Sequence, residues 1–388
     1  MPLLHIPMVG RNATDDHRVS TPLELFFDLT FVVAVAQAVT ALHRGLAEGH
    51  AANAIGAFPM IFFAIWWAWM NFTWFASAYD TDDVPYRLMV FVQMTGVLIL
   101  AAGIPRAFDR SDFGVTTLGY VVMRLAMVSQ WVRAAITDTE RRRCAIRYAI
   151  GISVVQIGWI ARLAMDGVAT TIVLIVLAIG ELVVPVWAEA AGRTTWHPRH
   201  MAERYGLFTI IVLGESILAA TAGVQVAIDN NQRLSDLAPV IVGGLLIVFT
   251  MWWIYFEMPR ERAAEALRGA FDTRLSGAFT WGYGHYFVFG AAAATGAGLA
   301  VAVDQAIGAA QLTDWEAGAT TTVPVAVYVV VVWLIHRRYK RSRPHRFLTP
   351  AAVVLVLATT FTPQPVLFTG IVLAALLAIA LAGSGREH

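Results

Sequence analysis

Residues 21–43 read TPLELFFDLTFVVAVAQAVTALH, a mainly apolar stretch long enough to cross a lipid bilayer. A helix rises about 1.5 Å per residue and the hydrocarbon core is about 30 Å thick, so roughly 20 apolar residues span it. Further segments of the chain qualify or nearly qualify. We predict an all-α polytopic bundle of about twelve spans, at residues 21–43, 53–75, 86–105, 115–136, 145–164, 169–188, 203–223, 238–258, 277–302, 319–336, 348–362 and 364–382.

The composition also indicates a membrane protein. Of 388 residues, 58% are hydrophobic and 14% are charged, and the mean hydropathy is +0.62. Soluble domains carry about 25% charged residues, so this chain lacks the polar surface of a soluble protein. A net charge of +1 argues against a broad basic surface, and we therefore predict no nucleic-acid partner. A single cysteine, Cys144, excludes a disulfide framework and a cysteine-based metal cluster.

The last two predicted spans are the weakest. Pro363 and Pro365 divide one apolar stretch into short pieces, which predicts either two tight spans or a re-entrant pair. Residues 259–276 carry an apolar stripe at helical spacing. This stripe indicates either a helix on the inner leaflet or a solvated linker helix.

The positions of Lys and Arg predict the orientation. Most of the 28 basic residues fall in the N-terminal segment and in every second loop, which places both termini in the cytoplasm. The predicted parts are a cytoplasmic N-terminal segment (1–20), a six-helix repeat (21–188), a cytoplasmic linker (189–202), a second six-helix repeat (203–382) and a cytoplasmic C-terminal tail (383–388).

The two repeats are inferred from similar stretches in the same order. Residues 23–39, LELFFDLTFVVAVAQAV, parallel residues 201–217, MAERYGLFTIIVLGESI. Next, FFAIWWAWMNF (62–72) parallels VFTMWWIYFEM (248–258). An even number of spans per half gives both halves the same orientation in the membrane. Chance similarity between apolar helices is the alternative explanation.

Ionisable residues within the predicted spans are the candidates for function, because a charge in the bilayer is costly. Glu24 and Asp28 lie four residues apart and share a helix face. Thr21, Pro22 and Glu24 also form a capping-box pattern, so capping competes with function at Glu24. Asp28 lies one turn deeper, where capping no longer explains it.

A second group of candidates lies near the middle of other spans. Arg124, Glu181 and Glu215 are at similar predicted depths, which indicates a buried ion pair with one carboxylate left over or protonated. A static structural salt bridge is the competing interpretation. Next to Glu215, Gly214 allows another helix to approach closely.

Two further residues complete the predicted pathway, Glu203 and His285. His285 follows an aromatic and glycine-rich stretch and could titrate or simply pack through hydrogen bonds. Such groups concentrate in the cytoplasmic halves of the spans, which indicates a cavity open to the cytoplasm. The sequence shows no Walker loop, HExxH or G-x-S-x-G motif, so we predict no cofactor, no metal and no catalytic residue.

Two motifs make the chain resemble the bacterial low temperature requirement A (LtrA) family. The first is STPLELFFDL at residues 20–29, and the second is ERYGLFTIIVLGES at residues 203–216, where the family usually has Phe at the position of Tyr205. The resemblance runs from residue 20 to about 290. It implies a multi-pass protein of the bacterial inner membrane linked to growth in the cold, without a settled substrate. A fainter likeness to potassium-channel proteins rests on Phe26, Phe27 and Asp28, but Phe27 replaces their serine.

The leading hypothesis is a transporter or channel for a small ion or solute, proton-coupled through buried carboxylates, with Arg124 as their counter-ion. The alternatives are a structural or sensory membrane protein of cold adaptation and a membrane-embedded lipid-modifying enzyme. The expected partners are membrane lipids and an unknown small ion or solute, and a homo-oligomer stays open.

Overall fold

The computed structural model describes residues 5–11, 19–165, 167–229, 233–257, 265, 267, 275–336 and 345–384. Regular structure in these residues is helical throughout. The twelve helices of the described ranges are α1 (Pro22–Ala47), α2 (Ala51–Tyr79), α3 (Val84–Arg110), α4 (Gly114–Thr137), α5 (Arg142–Arg162), α6 (Val168–Glu189), α7 (Pro198–Asp229), α8 (Leu234–Phe256), α9 (Leu275–Ala306), α10 (Asp314–His336), α11 (His345–Thr359) and α12 (Pro365–Ser384).

Each predicted span falls on one of these helices, and ten helices in the described ranges are long and apolar enough to cross a membrane. The other two are α4, which carries Arg124 and Arg133, and α11. α11 has 15 residues, or about 22 Å, which is less than the hydrocarbon thickness. The predicted amphipathic stripe at 259–276 and the end of the C-terminal tail lie largely outside the described residues.

The helices form two compact units. Unit 1 contains residues 1–34 and 63–204, and unit 2 contains residues 35–62 and 205–388. This grouping assigns the end of α1 and the start of α2 to unit 2, whereas the predicted halves follow the order of the chain. The six-span duplication and the orientation of the termini stay predictions.

In unit 1, α3 to α6 pack as successive neighbours along the chain. Glycine allows the closest of these contacts. A Cβ at Gly96 would lie 2.7 Å from the carbonyl oxygen of Gly119 and 2.9 Å from the backbone nitrogen of Met123. α3 and α4 can therefore approach to backbone contact, as in other tightly packed membrane helices.

The N-terminal segment, residues 5–11, is held against the ends of α2, α3 and α4. The backbone N–H of Ile6 donates to Asp83 Oδ2 at 2.8 Å, and that of Gly10 donates to Asp138 Oδ2 at 3.1 Å. Between them, the carbonyl of Met8 accepts from Thr137 Oγ1 at 2.6 Å, and Met8 is fully buried. Part of the segment predicted to be cytoplasmic is thus packed into unit 1.

In unit 2, α9 packs against α10, and α8 packs against α12. A Cβ at Gly243 of α8 would lie 2.5 Å from the carbonyl oxygen of Val366 in α12. At the end of α1, His43 Nε2 lies 2.6 Å from Asp304 Oδ2 of α9. The chain between α11 and α12, at residues 360–364, interrupts the last apolar stretch where Pro363 and Pro365 predict a break.

Candidate functional site

In unit 1, α7 places two basic side chains against two acidic side chains of α1. Arg204 Nη1 lies 2.9 Å from Glu24 Oε1, and Arg204 Nη2 donates to Asp28 Oδ1 at 2.5 Å. His200 Nε2 lies 3.0 Å from Glu24 Oε1. Residues four apart share a helix face, so the pair at 200 and 204 matches the pair at 24 and 28. We name these four residues the Arg204 cluster.

Two reciprocal hydrogen bonds at the start of α1 position Glu24. Glu24 accepts from the backbone N–H of Thr21 at 2.8 Å, and Thr21 Oγ1 accepts from the backbone N–H of Glu24 at 3.3 Å. The predicted capping box is therefore present. Glu24 caps the helix and also pairs with α7, so capping and ion pairing are not alternatives at this residue.

Helix α2 closes the cluster from another side. Trp69 Nε1 donates to Asp28 Oδ1 at 2.7 Å, and Thr73 Oγ1 lies 3.4 Å from Arg204 Nη2. Asp28 Oδ2 is also buried, and no described residue donates a hydrogen bond to it. Asp28 thus has one saturated oxygen and one oxygen without a donor among the described residues.

All four cluster side chains are at most 1% exposed. Taking ions out of water costs several kcal/mol each, and close pairing is required to offset that cost. Two carboxylates here share one guanidinium. If both are ionised and His200 is neutral, the cluster carries one uncompensated negative charge. A single proton, on His200 or on a carboxyl group, makes it neutral.

A second buried pair in unit 1 joins α4 to α6. Arg124 Nη2 donates to Glu181 Oε2 at 2.9 Å, as the predicted ion pair requires. Trp67 Nε1 and Trp159 Nε1 donate to Glu181 at 2.8 Å and 3.2 Å. Tyr120 lies within 3.4 Å of the same carboxylate and also accepts from Arg124. One anion faces one cation here, so this pair is already balanced.

This arrangement corrects the predicted counter-ion of Asp28. Arg124 binds Glu181, and the partner of Asp28 is Arg204. From the sequence, Arg204 counts among the basic residues of the cytoplasmic side, and His200 falls in the loop before a seventh span that begins at residue 203. α7 begins at Pro198, so both residues lie within the helix. The matching four-residue spacings of the two pairs were the available signal.

Glu215 lies in unit 2. Its side chain is 6% exposed, and no described residue forms a hydrogen bond or an ion pair with it. Gly214 does not mark a close helix contact, because no described atom lies within 4 Å of a Cβ built there. Close contact occurs two residues further along α7, where Ser216 Oγ donates to the carbonyl of Ala292 at 3.0 Å.

His285 and Glu203 belong to neither the Arg204 cluster nor the Arg124–Glu181 pair. His285 Nδ1 is 2.8 Å from the carbonyl of Trp281, and its Nε2 is 3.0 Å from the hydroxyl of Tyr255. A neutral imidazole has one donor and one acceptor, and these two contacts satisfy both. His285 therefore packs as a hydrogen-bonded core residue in this structure. Glu203 is half-buried in unit 1, next to Arg204 in sequence.

Comparison with known proteins agrees with the resemblance seen in the motifs. The family model "Bacterial low temperature requirement A protein (LtrA)" matches residues 19–382. An uncharacterized protein of Rhizobium meliloti (strain 1021) is 29% identical over 301 residues, covering 74% of this chain and 70% of that protein. The apolar helices make the chain an integral membrane protein, consistent with the bacterial inner membrane. It belongs to the bacterial low temperature requirement A family.

Proposed function

We propose that the protein transports a small ion or solute across the membrane and couples that movement to a proton held by the Arg204 cluster. One observation carries the proposal: two buried carboxylates, Glu24 and Asp28, share the guanidinium of Arg204, with His200 as the fourth member. Electroneutrality of the buried set requires one exchangeable proton.

The charge imbalance separates this cluster from an ordinary structural salt bridge. Arg124 and Glu181 balance each other, so their pairing requires no proton. In the Arg204 cluster, gain or loss of one proton changes the net charge, and a buried net charge is costly. Loss of the proton therefore favours a rearrangement that wets the cluster, and its return favours the closed arrangement.

The closed arrangement supports a gated route rather than a permanently open pore. The cluster residues are sealed from solvent by their own contacts and by Trp69 of α2. A transport cycle would alternate between this closed cluster and a hydrated one. Glu215 is a second candidate for proton transfer, in unit 2, because this residue is largely buried and has no hydrogen-bond or ion-pair partner among the described residues.

The test is proton movement in liposomes that contain the purified protein and an internal pH dye. Na⁺, K⁺, Mg²⁺, Ca²⁺ and small anions are added one at a time. We expect at least one of them to drive proton movement in the wild type, and we expect Asp28→Asn and His200→Gln to reduce the rate by tenfold or more. The proposal fails if no added solute moves protons, or if both variants keep the wild-type rate.

Glu189→Gln is the matched control. Glu189 is also a buried carboxylate of unit 1, bound by Tyr148 and Thr194 at 3.1 Å and 2.6 Å, but it lies outside the cluster. Neutralising it should lower stability without removing the coupled flux. A loss of flux equal to that of Asp28→Asn would show that the cluster has no special role.

One observation favours a second candidate, a structural or sensory membrane protein. The four ionic groups of the Arg204 cluster contact one another in a buried network, which is what a static clamp between α1 and α7 requires. In that case Asp28→Asn changes the free energy of unfolding, and the wild type moves no protons under any solute gradient. The liposome experiment therefore distinguishes the two candidates.

A further inference from the structure

The break between α11 and α12 borders a cavity within unit 2. α11 ends at Thr359 and α12 begins at Pro365, and the cavity beside this break has a volume of about 250 Å³. The ends of α8, α9 and α10 form its other walls. A water molecule occupies about 30 Å³ of liquid, so the cavity has room for several.

The polar groups of its wall are rich in oxygen and include two carboxylates. Asp236 comes from the first turn of α8 and Asp314 from the first turn of α10, while Thr362 and Gln364 come from the break. No Lys, Arg or His is among the residues that line it. In the described part of the chain, neither carboxylate forms an ion pair with a basic side chain.

The fifth polar residue, Gln305 of α9, is oriented by one of these acids. Gln305 Nε2 donates to Asp314 Oδ1 at 3.0 Å. This bond uses the donor end of the amide, and Gln305 Oε1 is buried with no hydrogen-bond donor from any described residue. The amide therefore has a spare acceptor at the cavity wall.

Two buried threonines of α10, Thr321 and Thr322, follow the cavity-lining residue Gly318 by about one helical turn. Thr321 follows Asp314 by seven residues and Gly318 by three, so it lies on the same face of α10, about 10 Å into the helix. It is fully buried, and its Oγ1 has no partner among the described residues. Beside it, Thr322 Oγ1 lies 2.6 Å from Thr360 Oγ1 at the start of the break.

The backbone of the break also approaches this site closely. A Cβ at Gly318 would lie 2.8 Å from the carbonyl oxygen of Thr360. The absence of a side chain at Gly318 lets this carbonyl approach α10 next to the cavity. Interrupted membrane helices with free carbonyl groups are a recurring way to coordinate small cations.

We propose that this cavity binds a small hard cation that keeps part of its hydration shell. Carboxylate, amide, hydroxyl and carbonyl oxygens are the ligands that such cations prefer. The site is separate from the Arg204 cluster, because all of its residues belong to unit 2. The proposal concerns binding and holds whether or not the protein proves to transport.

The simplest rival explanation is that both acids only complement helix N-termini. A helix N-terminus is equivalent to about half a positive charge, so it offsets only part of each carboxylate. That explanation also leaves the buried acceptor of Gln305 and the buried hydroxyl of Thr321 unaccounted for. The two explanations predict different results for ion binding.

The experiment measures Tb³⁺ binding to the full-length protein in detergent, because Tb³⁺ is a hard, luminescent cation. Trp315 follows Asp314 directly and can sensitise its emission. We expect emission that saturates with Tb³⁺ concentration and is lost when excess Ca²⁺ or Na⁺ displaces the bound Tb³⁺. The ion that displaces Tb³⁺ at the lower concentration shows whether the site prefers a divalent or a monovalent cation. The double variant Asp236→Asn, Asp314→Asn should weaken binding at least tenfold.

Glu316→Gln is the matched control. Glu316 lies in the same turn of α10 and does not line the cavity, and it accepts from Thr313 Oγ1 at 2.6 Å. Gln can keep this capping contact. Binding should survive in this variant, and Thr321→Val should weaken it while leaving both surface acids in place.

Three results would overturn the proposal. The first is Tb³⁺ emission that neither Ca²⁺ nor Na⁺ reduces, and the second is equal Tb³⁺ binding by the wild type and the double variant. The third is a loss of Tb³⁺ binding in Glu316→Gln as large as the loss in the double variant. Competition on the wild type needs no folded variant. The readout is equilibrium binding, so failure of proton movement in liposomes leaves this result intact.

Discussion

At the scale of single residues, Arg204 connects three helices of unit 1. It is fully buried and pairs with both acids of α1, while its Nη2 approaches Thr73 of α2. Arginine suits this place because its planar guanidinium directs several N–H groups in fixed directions, whereas lysine offers one compact ammonium group. We therefore expect the residue to be central to the stability of unit 1, whether or not the protein transports a solute.

Replacing Arg204 should be among the most damaging single changes in unit 1. Arg204→Met leaves two buried carboxylates without their cation, and breaking a buried pair in this way costs about 3–5 kcal/mol. We expect Arg204→Lys to lose less stability than Arg204→Met, because lysine keeps the positive charge. It should still lose some, because one ammonium group cannot contact both carboxylates as the guanidinium does. Unfolding in detergent micelles, followed by tryptophan fluorescence, measures both.

Arg143→Met serves as the comparison, because Arg143 is exposed at the start of α5. Surface substitutions usually change stability by about 0.5 kcal/mol or less. If Arg204→Met unfolded like Arg143→Met, the ion pairs of the cluster would contribute nothing to the stability of unit 1.

At the scale of helices and segments, stability depends on close backbone contacts and on the caps at the helix ends. Asp83 is the clearest cap. Its Oδ1 accepts from the backbone N–H of Tyr86 at 3.0 Å, and its carboxylate also binds Arg133 and the N–H of Ile6. One side chain thus starts α3, pairs with α4 and holds the N-terminal segment.

The contribution of Asp83 should depend on pH. Burial by itself would raise the pKa of this carboxyl group, but the hydrogen bonds from Arg133, Ile6 and Tyr86 lower it below its ordinary value. A lowered pKa in the folded state means that the stabilisation is complete above the unfolded pKa of about 3.9. It is lost as the pH falls through the lower, folded value.

Asp83→Asn should therefore cost about 1.5–3 kcal/mol at pH 7, the range for hydrogen bonds to charged groups. The difference from the wild type should shrink as the pH falls below about 4. Denaturant unfolding between pH 7 and pH 3 measures it, with the exposed Asp112→Asn as control. A difference that stays constant over this range would contradict the assigned role.

The closeness of the helices around two glycines predicts different stability changes when each glycine is replaced by alanine. In Gly243→Ala, the new methyl group would lie 2.5 Å from the backbone oxygen of Val366, so α8 and α12 must move apart. Overpacking of this kind costs about 1–3 kcal/mol. In Gly214→Ala the methyl group meets no described atom within 4 Å, so stability should stay the same or rise by up to about 1 kcal/mol.

The glycine pair is measured by thermal unfolding of the purified protein in one detergent. The same substitution is made in both variants, so helix propensity cancels and the difference reports the contact. Equal stability of the two variants would show that α8 and α12 separate at no cost.

At the scale of the whole molecule, the decisive property is how the ten long apolar helices found in the described ranges are oriented in the membrane. Basic residues predict that the loop between α1 and α2 faces outward and that the loop between α4 and α5 faces the cytoplasm. Glu48 and Glu140 lie in these loops, and both are exposed. They offer a matched pair of positions for labelling.

In a Cys144→Ser background, a membrane-impermeant maleimide should label Glu48→Cys in intact spheroplasts. It should label Glu140→Cys only after the membrane is permeabilised. Cys144 is the single native cysteine and is buried, and its replacement by Ser leaves the introduced cysteine as the only thiol. Labelling of both positions from outside, or the reverse pattern, would overturn the predicted cytoplasmic termini.

Local signals in the sequence predicted much of the architecture. Each predicted span falls on a helix, the capping box at Thr21 and Glu24 forms, and Arg124 pairs with a buried carboxylate. The spans and the capping box depend on residues close in sequence. The pairing of Arg124 follows from its apolar surroundings, where a buried charge needs a partner of opposite charge. At Gly214 small size allows a close contact without requiring one, and no described atom lies within 4 Å of a Cβ built there.

The partners of the buried acids could not be predicted in the same way. Asp28 and Arg204 are 176 residues apart, and the indole N–H of Trp69, which also binds Asp28, comes from a third helix. Hydropathy and helical periodicity determine from the sequence alone that this chain forms membrane helices. Which guanidinium meets which carboxylate was decided only by the tertiary structure, because such pairing depends on how distant helix faces pack together.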